Sequence, residues 1–286
     1  TNNVEILAKN AMIFNMNEIV YEDNDVLVLN KPAGVPVEVS AHSNECTVLD
    51  DVRESYPEAM LVHRLDKDTS GLLMVAKNPA VHEYYKQLFK DHKIKKTYIV
   101  LVSGTVSKDE GVISLPIVRS KKDFRKRITS PRMVPGARPA ETHFKVLQRF
   151  QNPSPTRLAS QCEAGRQPPF SKGRDKNPPF PPEADPPLVE KKGEEGGFGF
   201  TLLEVSPKTG RTHQIRSHLA SIGYPVACDK LYGGKKYTCP PGVERQFLHA
   251  AGLEFVAKDG KRVHLETRLP SELECVLTVM TQKDCD

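Results

Sequence analysis

"HRLDKDTSGLLMVA", residues 63–76, runs from a crowd of polar groups straight into an unbroken apolar tract. Leu72 to Ala76 is short, wholly apolar and opened by Gly71, which reads as a buried strand and is too short for a helix of its own. Residues 63–71 hold five ionisable side chains, two hydroxyls and a glycine. A turn into a strand needs only one or two polar residues and a glycine. The surplus is either a solvated loop or a carboxylate set in place for chemistry. Spacing alone leaves both open, since Asp66 and Asp68 equally suit Asx turns before Gly71.

The neighbouring segments alternate without the regular rhythm of a doubly wound sheet. "DVLVLN" (25–30) is a short buried strand halted by Lys31-Pro32 and Gly34. "AVHEYYKQLFK" (80–90) places Val81, Tyr84, Tyr85, Leu88 and Phe89 at helical spacing, and "KTYIVLV" (96–102) is an apolar, β-branched strand. "THFKVLQRF" (142–150) and "FGFTLLEV" (198–205) read as strands on either side of residues 151–197. That intervening stretch carries ten of the 23 prolines and few large apolar residues, so we expect a disordered insertion in an overgrown hairpin connection on the surface of one domain. In "GRTHQIRSHLASIG" (210–223), Ile215, Leu219 and Ile222 form a helical stripe that Gly223 ends. Ser271 and Glu274 fit a capping box for a last helix through Leu273, Val276, Leu277 and Met280. The sum is an α+β fold with some antiparallel pairing.

Composition narrows the class. At 286 residues and 38% apolar content the chain can bury one large core or two modest ones, and no apolar run reaches membrane-spanning length. Thr1 to Asn17 lacks the order of a secretion signal, and a chain opening on threonine reads as a fragment or processed form. Six cysteines without CxxC pairs read most simply as reduced thiols of an intracellular protein, with cytoplasm, mitochondrion and plastid all compatible. The net charge of +5 is mild, but "RSKKDFRKRITSPR" (119–132) concentrates seven Lys or Arg against one Asp around Phe124. It is either a solvated face or a surface for a polyanion.

Several chemistries lack their signatures. There is no phosphate-cradling GxxxxGK[ST], the glycines near 197 lack the dinucleotide fingerprint, and His213 and His218 are five apart with no paired cysteines, so neither metal nor cofactor is expected. Ser70, His63 and Asp66 match a hydrolase triad by type only, confined to eight residues and without a GxSxG elbow. What remains is Asp66 in a basic neighbourhood and Arg216 beside the stripe residue Ile215. An arginine partner would hold an aspartate charged and oriented. The plainer alternatives are a surface cation at Arg216, a core tyrosine at Tyr98 and strand punctuation at Lys31.

Taken together, "VLNKPAGVPV", "HRLDKDTSGLLMVAKN", "KIKKTYIVLVSG", "GRTHQIRSHLASIGYPVACDKLYGG" and "LHAAGLEF" resemble, in order, the RluA-like family of RNA pseudouridine synthases over residues 19–270, interrupted at 151–197. The resemblance implies a mixed α/β domain around a long, largely antiparallel sheet with flanking helices and an active-site cleft across it. It implies that Asp66 is the catalytic aspartate, Tyr98 the tyrosine beneath the target base and Arg216 the partner of the aspartate. Arg64 would invade the RNA stack beside a flipped-out nucleotide.

The reaction so implied breaks the C1'–N1 bond of a uridine in rRNA or tRNA, turns the base and rejoins it through C5, with no cofactor. Asp66 would attack C1' or remove the C2' proton, and Tyr98 is a candidate to take the C5 proton. Lys31, Lys121, Lys122, Arg125, Lys126 and Arg127 are expected to hold RNA, and His63, Thr69, Ser70 and Gly71 to support the loop. We expect residues 1–18 to be an N-terminal extension too short for the small RNA-binding domain of many relatives, and 19–286 to be a single, monomeric catalytic domain. The rival readings are a ribosome-assembly factor with the fold and no turnover, and a nucleosidase, disfavoured because no second catalytic carboxylate is evident.

Overall fold

The computed structural model describes residues 18–38, 45–150, 199–234, 238–240 and 242–281. Residues 1–17 of the expected extension 1–18 and the insertion at 151–197 lie outside the described residues, whereas Glu18 already belongs to the first strand. Twelve strands are described: β1 (Glu18–Glu22), β2 (Val26–Lys31), β3 (Met60–Leu61), β4 (Ser70–Ala76), β5 (Lys95–Ser103), β6 (Glu110–Ile113), β7 (Ile117–Arg119), β8 (Arg127–Thr129), β9 (Thr142–Phe150), β10 (Phe200–Pro207), β11 (Leu248–Val256) and β12 (Arg262–Glu266). Four helices accompany them: α1 (Val48–Arg53), α2 (Pro79–Lys90), α3 (Gln214–Ser221) and α4 (Ser271–Thr281).

Ten strands form one sheet in the order β1-β2-β4-β11-β5-β10-β9-β6, with β3 on β4 and β12 on β11, while β7 and β8 form a separate hairpin. Every pairing in the large sheet is antiparallel except β4 with β11, where Ser70 faces His249 and Gly71 faces Ala250. The two halves of the sheet therefore join at the first residues of the strand that follows the polar loop 63–69.

Alternation along each strand sends side chains to opposite faces. Leu27, Leu29, Leu73, Val75, Val100 and Leu203 pack with Val48 and Val52 of α1 and Ile215 and Leu219 of α3. Val26, Val28 and Met74 face the other way, onto Val81 and Tyr85 of α2, and Leu101 and Leu202 meet Leu273, Val276 and Met280 of α4. β2 and β4 are covered on both faces, which is why they read as continuous apolar runs. α2 opens on an Asn78 cap with Pro79 at its first position, and α3 ends where Gly223 takes a φ of +89°.

Three expectations need correction. Ser271 is not a cap: it lies in the first turn of α4, where the Pro270 carbonyl accepts from Leu273 and Glu274. Tyr84, placed on the apolar stripe of α2, is exposed, and buried His82 takes a place on that face. The cysteines are not all reduced: Cys228 and Cys239 form a disulfide, with Cα atoms 4.5 Å apart. Their separation of 11 residues has no motif to announce it. Among the described residues no helix is long and apolar enough to cross a membrane.

Candidate active site

The loop from Val62 to Thr69, between β3 and β4, is tied down from several directions. Its backbone turns where Thr69 N donates to the Asp66 carbonyl at 3.0 Å. Below it, the ammonium of Lys31 donates to the carbonyls of Pro32, Val35 and Lys67 at 2.6, 2.9 and 2.9 Å. Lys31 is fully buried, and burial pulls its pKa down to about 7. This corrects the expectation that it holds RNA: a lysine with no exposed surface, committed to three carbonyls, is a strut between two loops.

Three of the residues expected to support the loop, Thr69, Ser70 and His63, have side-chain partners. Thr69 Oγ1 accepts from Gln246 at 2.9 Å, and Ser70 Oγ lies 2.9 Å from His249 Nδ1 while accepting from Arg245 at 3.0 Å. Arg245 also reaches the Asp68 carbonyl and pairs with Glu272. His63 accepts from Met74 N at 2.9 Å through Nε2 and stacks on Phe89. Burial, with a smaller contribution from Lys96, drives its pKa down to about 3, so this imidazole is neutral. The triad by residue type is thereby dissolved: His63 serves the backbone, and Ser70 is buried with a different histidine.

Above this floor lies a cleft of about 560 Å³ on the α3 side of the sheet, a size that suits a small organic ligand. His63, Arg64, Asp66, Thr69, Tyr98 and Arg216 all line it. Arg216 Nη1 donates to Asp66 Oδ2 at 2.8 Å across 150 residues of sequence. The rest of the guanidinium is committed to Asp229, a residue that no sequence signal singled out. Nε donates to its Oδ2 at 2.6 Å and Nη2 to its Oδ1 at 2.9 Å. Burial alone would lower the pKa of Arg216, but Asp229 and then Asp66 more than offset this and leave it above its ordinary value.

Tyr98 is 9% exposed, and burial, followed by the charge of Asp66, raises its phenol above the ordinary value. A phenol so held stays protonated near neutral pH, which makes it a wall or hydrogen-bond donor more readily than a direct base. Three more groups complete the site. His213 Nε2 lies 3.8 Å from Asp66 Oδ1, its pKa lowered by burial against the opposing pull of Asp66. It has a φ of +53° at the start of α3, a conformation that non-glycine residues hold only when surroundings impose it. The surroundings include Tyr232, whose hydroxyl lies 3.0 Å from His213 Nδ1 and accepts from Arg127 N at 2.7 Å. Lys96, two residues before Tyr98, donates to the Thr209 carbonyl at 3.2 Å, and burial lowers its pKa to about 8.

The basic run lies apart from the cleft floor. Lys121, Lys122 and Arg125 are exposed around the β7–β8 turn, with Lys126 and Arg127 partly covered, and Phe124 is 75% exposed among them. The Arg127–Tyr232 contact fastens this hairpin beside the site. Arg64 stands 62% exposed at the rim with Nη1 on Glu38 at 2.7 Å. An exposed pair of this kind contributes about 1 kcal/mol or less, so Arg64 can leave it readily. Among the described residues no cluster of three or more His, Cys, Asp or Glu is placed to hold a metal ion.

Known proteins match the chain along the same outline. The family model described as RNA pseudouridylate synthase matches residues 25–221. Ribosomal large subunit pseudouridine synthase C of Vibrio cholerae is 32% identical over 270 residues, covering 92% of this chain and 69% of that protein. The uncharacterised RNA pseudouridine synthase YlyB of Bacillus subtilis is 35% identical over 267 residues, covering 90% and 70%. Among solved structures, human RNA pseudouridylate synthase domain containing 1 aligns with a TM-score of 0.62 and 25% identity over 91% of this chain and 87% of that one.

Proposed function

Because the chain belongs to the RNA pseudouridylate synthase family, we propose that it isomerises uridines of large-subunit ribosomal RNA, with Asp66 as the catalytic carboxylate. The choice of RNA rests on relatives named for that substrate. The observation that carries the assignment of Asp66 is its one-sided grip: Arg216 holds Oδ2 at 2.8 Å, while Oδ1 lies 3.8 Å from His213 Nε2, and all three residues line the cleft. A fixed, ionised oxygen beside a bound ribose turns an encounter into an intramolecular step. Attack on C1' and removal of the C2' proton both use this oxygen. In the first route the C1'–N1 bond breaks as the Asp66–C1' ester forms, and the ester bond breaks as C5 bonds to C1'; in the second N1 leaves as Asp66 takes the C2' proton, which returns to C2' as C5 bonds to C1'. In both the base turns within the cleft against Tyr98, and the C5 proton leaves as N1 gains one. Arg64 fills the gap in the RNA stack, for which a guanidinium plane is suited.

RNA carrying tritium at uridine C5 tests the reading. Large-subunit rRNA should release tritium and gain pseudouridine. Binding without release would favour a factor that has lost turnover, release from tRNA alone would move the substrate, and free uracil would mark a nucleosidase.

The hairpin supplies a second expectation. Changing Lys121, Lys122 and Lys126 together to alanine should weaken RNA binding without changing the modified position. The slope of log Kd against log salt should fall by about 0.7–0.9 for each phosphate that is no longer neutralised. An unchanged slope would take the hairpin off the RNA.

A further inference from the structure

The turn that joins β7 to β8 carries the most exposed large apolar side chain among the described residues, the ring of Phe124, 75% open to solvent. A single exposed apolar side chain is ordinary. A ring held rigidly among cations is not. Ser120 Oγ accepts from Lys122 N and Asp123 N at 3.2 Å each, and Asp123 Oδ1 accepts from Arg125 N at 3.1 Å. The Asp123 carbonyl accepts from Lys126 N at 2.9 Å, and the Phe124 carbonyl accepts from Arg127 Nη1 at 3.2 Å. The backbone on both sides of the ring is thereby fixed, which presents the ring to whatever approaches the hairpin. We propose that Phe124 is a stacking platform for an unpaired base of the bound RNA, with Arg119 and Arg127 on the phosphate next to that base. The inference rests on the reading of the chain as an enzyme acting on RNA, and it names a class of substrate: a uridine whose near neighbour in the strand stands outside a helix.

The charges around the ring select the partner. Arg119 and Arg127 stand directly opposite each other across the hairpin, so both side chains leave the same face, and like charges so placed oppose the pairing of the strands. Arg119 is exposed and has no carboxylate partner among the described residues. Asp123, the one acid of the run 119–132, is taken through both oxygens by Arg125 at 3.0 Å. Burial, then the charge of Arg119 and with it that of Arg64, hold the pKa of Arg127 below its ordinary value against the opposing pull of Tyr232. A polyanion relieves this crowding. An apolar protein surface laid on the ring would cover the cations without pairing them, whereas a nucleotide brings a flat π-face for the ring and an anion for the guanidinium groups. The place suits the reaction as well. Phe124 is three residues from Arg127, so their Cα atoms are at most about 11 Å apart. Arg127 N is in turn linked to Asp66 through Tyr232 and His213.

The chain contains no tryptophan, so Phe124→Trp supplies a single fluorophore at the tip of the hairpin. Large-subunit ribosomal RNA should quench it. The same RNA annealed to its full complement should bind through the cations and leave the emission unchanged, because its bases are already stacked in a helix. Phe124→Ala should raise the Kd for the single-stranded rRNA by about 5- to 150-fold, the loss of one base stack. Phe124→Leu, apolar but without a π-face, should share that loss, and Phe124→Tyr should return binding to within about twofold of wild type. In all of these the slope of log Kd against log salt should match wild type, since a ring releases no counterions, while Arg119→Ala should lower it by about 0.7. The loss of tritium release should fall on kcat/KM and not on kcat at saturating RNA. Thermal melting certifies that each variant is folded. Wild-type binding by the alanine or leucine variant, or equal quenching by the duplex, would overturn the inference. If the wild-type protein releases tritium while the alanine variant binds as tightly, only the platform falls. If the wild-type protein neither binds rRNA nor releases tritium, the reading of its function falls and the platform with it.

Discussion

Asp66→Asn is expected to lower turnover by about ten-thousand-fold or more while the protein folds and binds RNA as before. The substitution is nearly isosteric. Its amide oxygen can still accept from Arg216 Nη1, and the loop remains held by Lys31, Thr69 and Gln246. What disappears is the negative charge on the open oxygen, which neither attack at C1' nor removal of the C2' proton can spare. Asp229 cannot substitute, since its oxygens are engaged by Arg216, Leu231 and Tyr232. Single-turnover release of C5 tritium, set beside an RNA-binding isotherm, reads both quantities. Turnover within tenfold of wild type would place the chemistry on another group.

Gly71→Ala should be the most destabilising methyl group that can be added at this site, with a loss of more than about 4 kcal/mol. Two separate demands converge there. The φ of Gly71 is +111°, a conformation that side chains rarely adopt, and a Cβ built on it would lie 2.2 Å from the Ala250 carbonyl oxygen. That oxygen belongs to backbone, so it cannot swing aside as a flexible side chain could. Relief requires β4 and β11 to part at their single parallel junction, immediately after the Asp66 loop. Urea unfolding should show the loss, and any folded remnant should be poorly active because Ser70 and Thr69 shift with the strand. An alanine variant with the wild-type unfolding midpoint would mean that the strands can separate at little cost.

The elements with local signals were legible. "DVLVLN", "GLLMVA", "KTYIVLV" and "THFKVLQRF" became β2, β4, β5 and β9 within a residue or so, because strands covered on one or both faces advertise themselves as apolar runs. Helix α3 was legible for the same reason, from Ile215, Leu219 and Gly223. The pairing of Asp66 with Arg216 left no periodic trace across 150 residues; residue chemistry offered Arg216 only as a candidate, and resemblance to a family singled it out. Asp229 stood inside a quoted motif, yet nothing local separates a buried ion partner from an ordinary turn aspartate. Lys31 misled for the opposite reason: a lysine after an apolar run looks like an exposed stop, and only three converging carbonyls make its burial tolerable. The parallel contact of β4 with β11 joins residues almost 180 positions apart, beyond any reading of neighbours.

Strands β9 and β10 pair side by side and antiparallel, so that the last residue of one, Phe150, stands opposite the first of the other, Phe200. Any polypeptide joining them leaves and returns through the same narrow gate, so its ends are already together before its length matters. Closing such a loop costs only about 0.6 kcal/mol more for each doubling of its length. Evolution can therefore lengthen or trim the chain at this gate almost without consulting the catalytic scaffold, and so can an engineer who wants to graft in a tag or a second binding module.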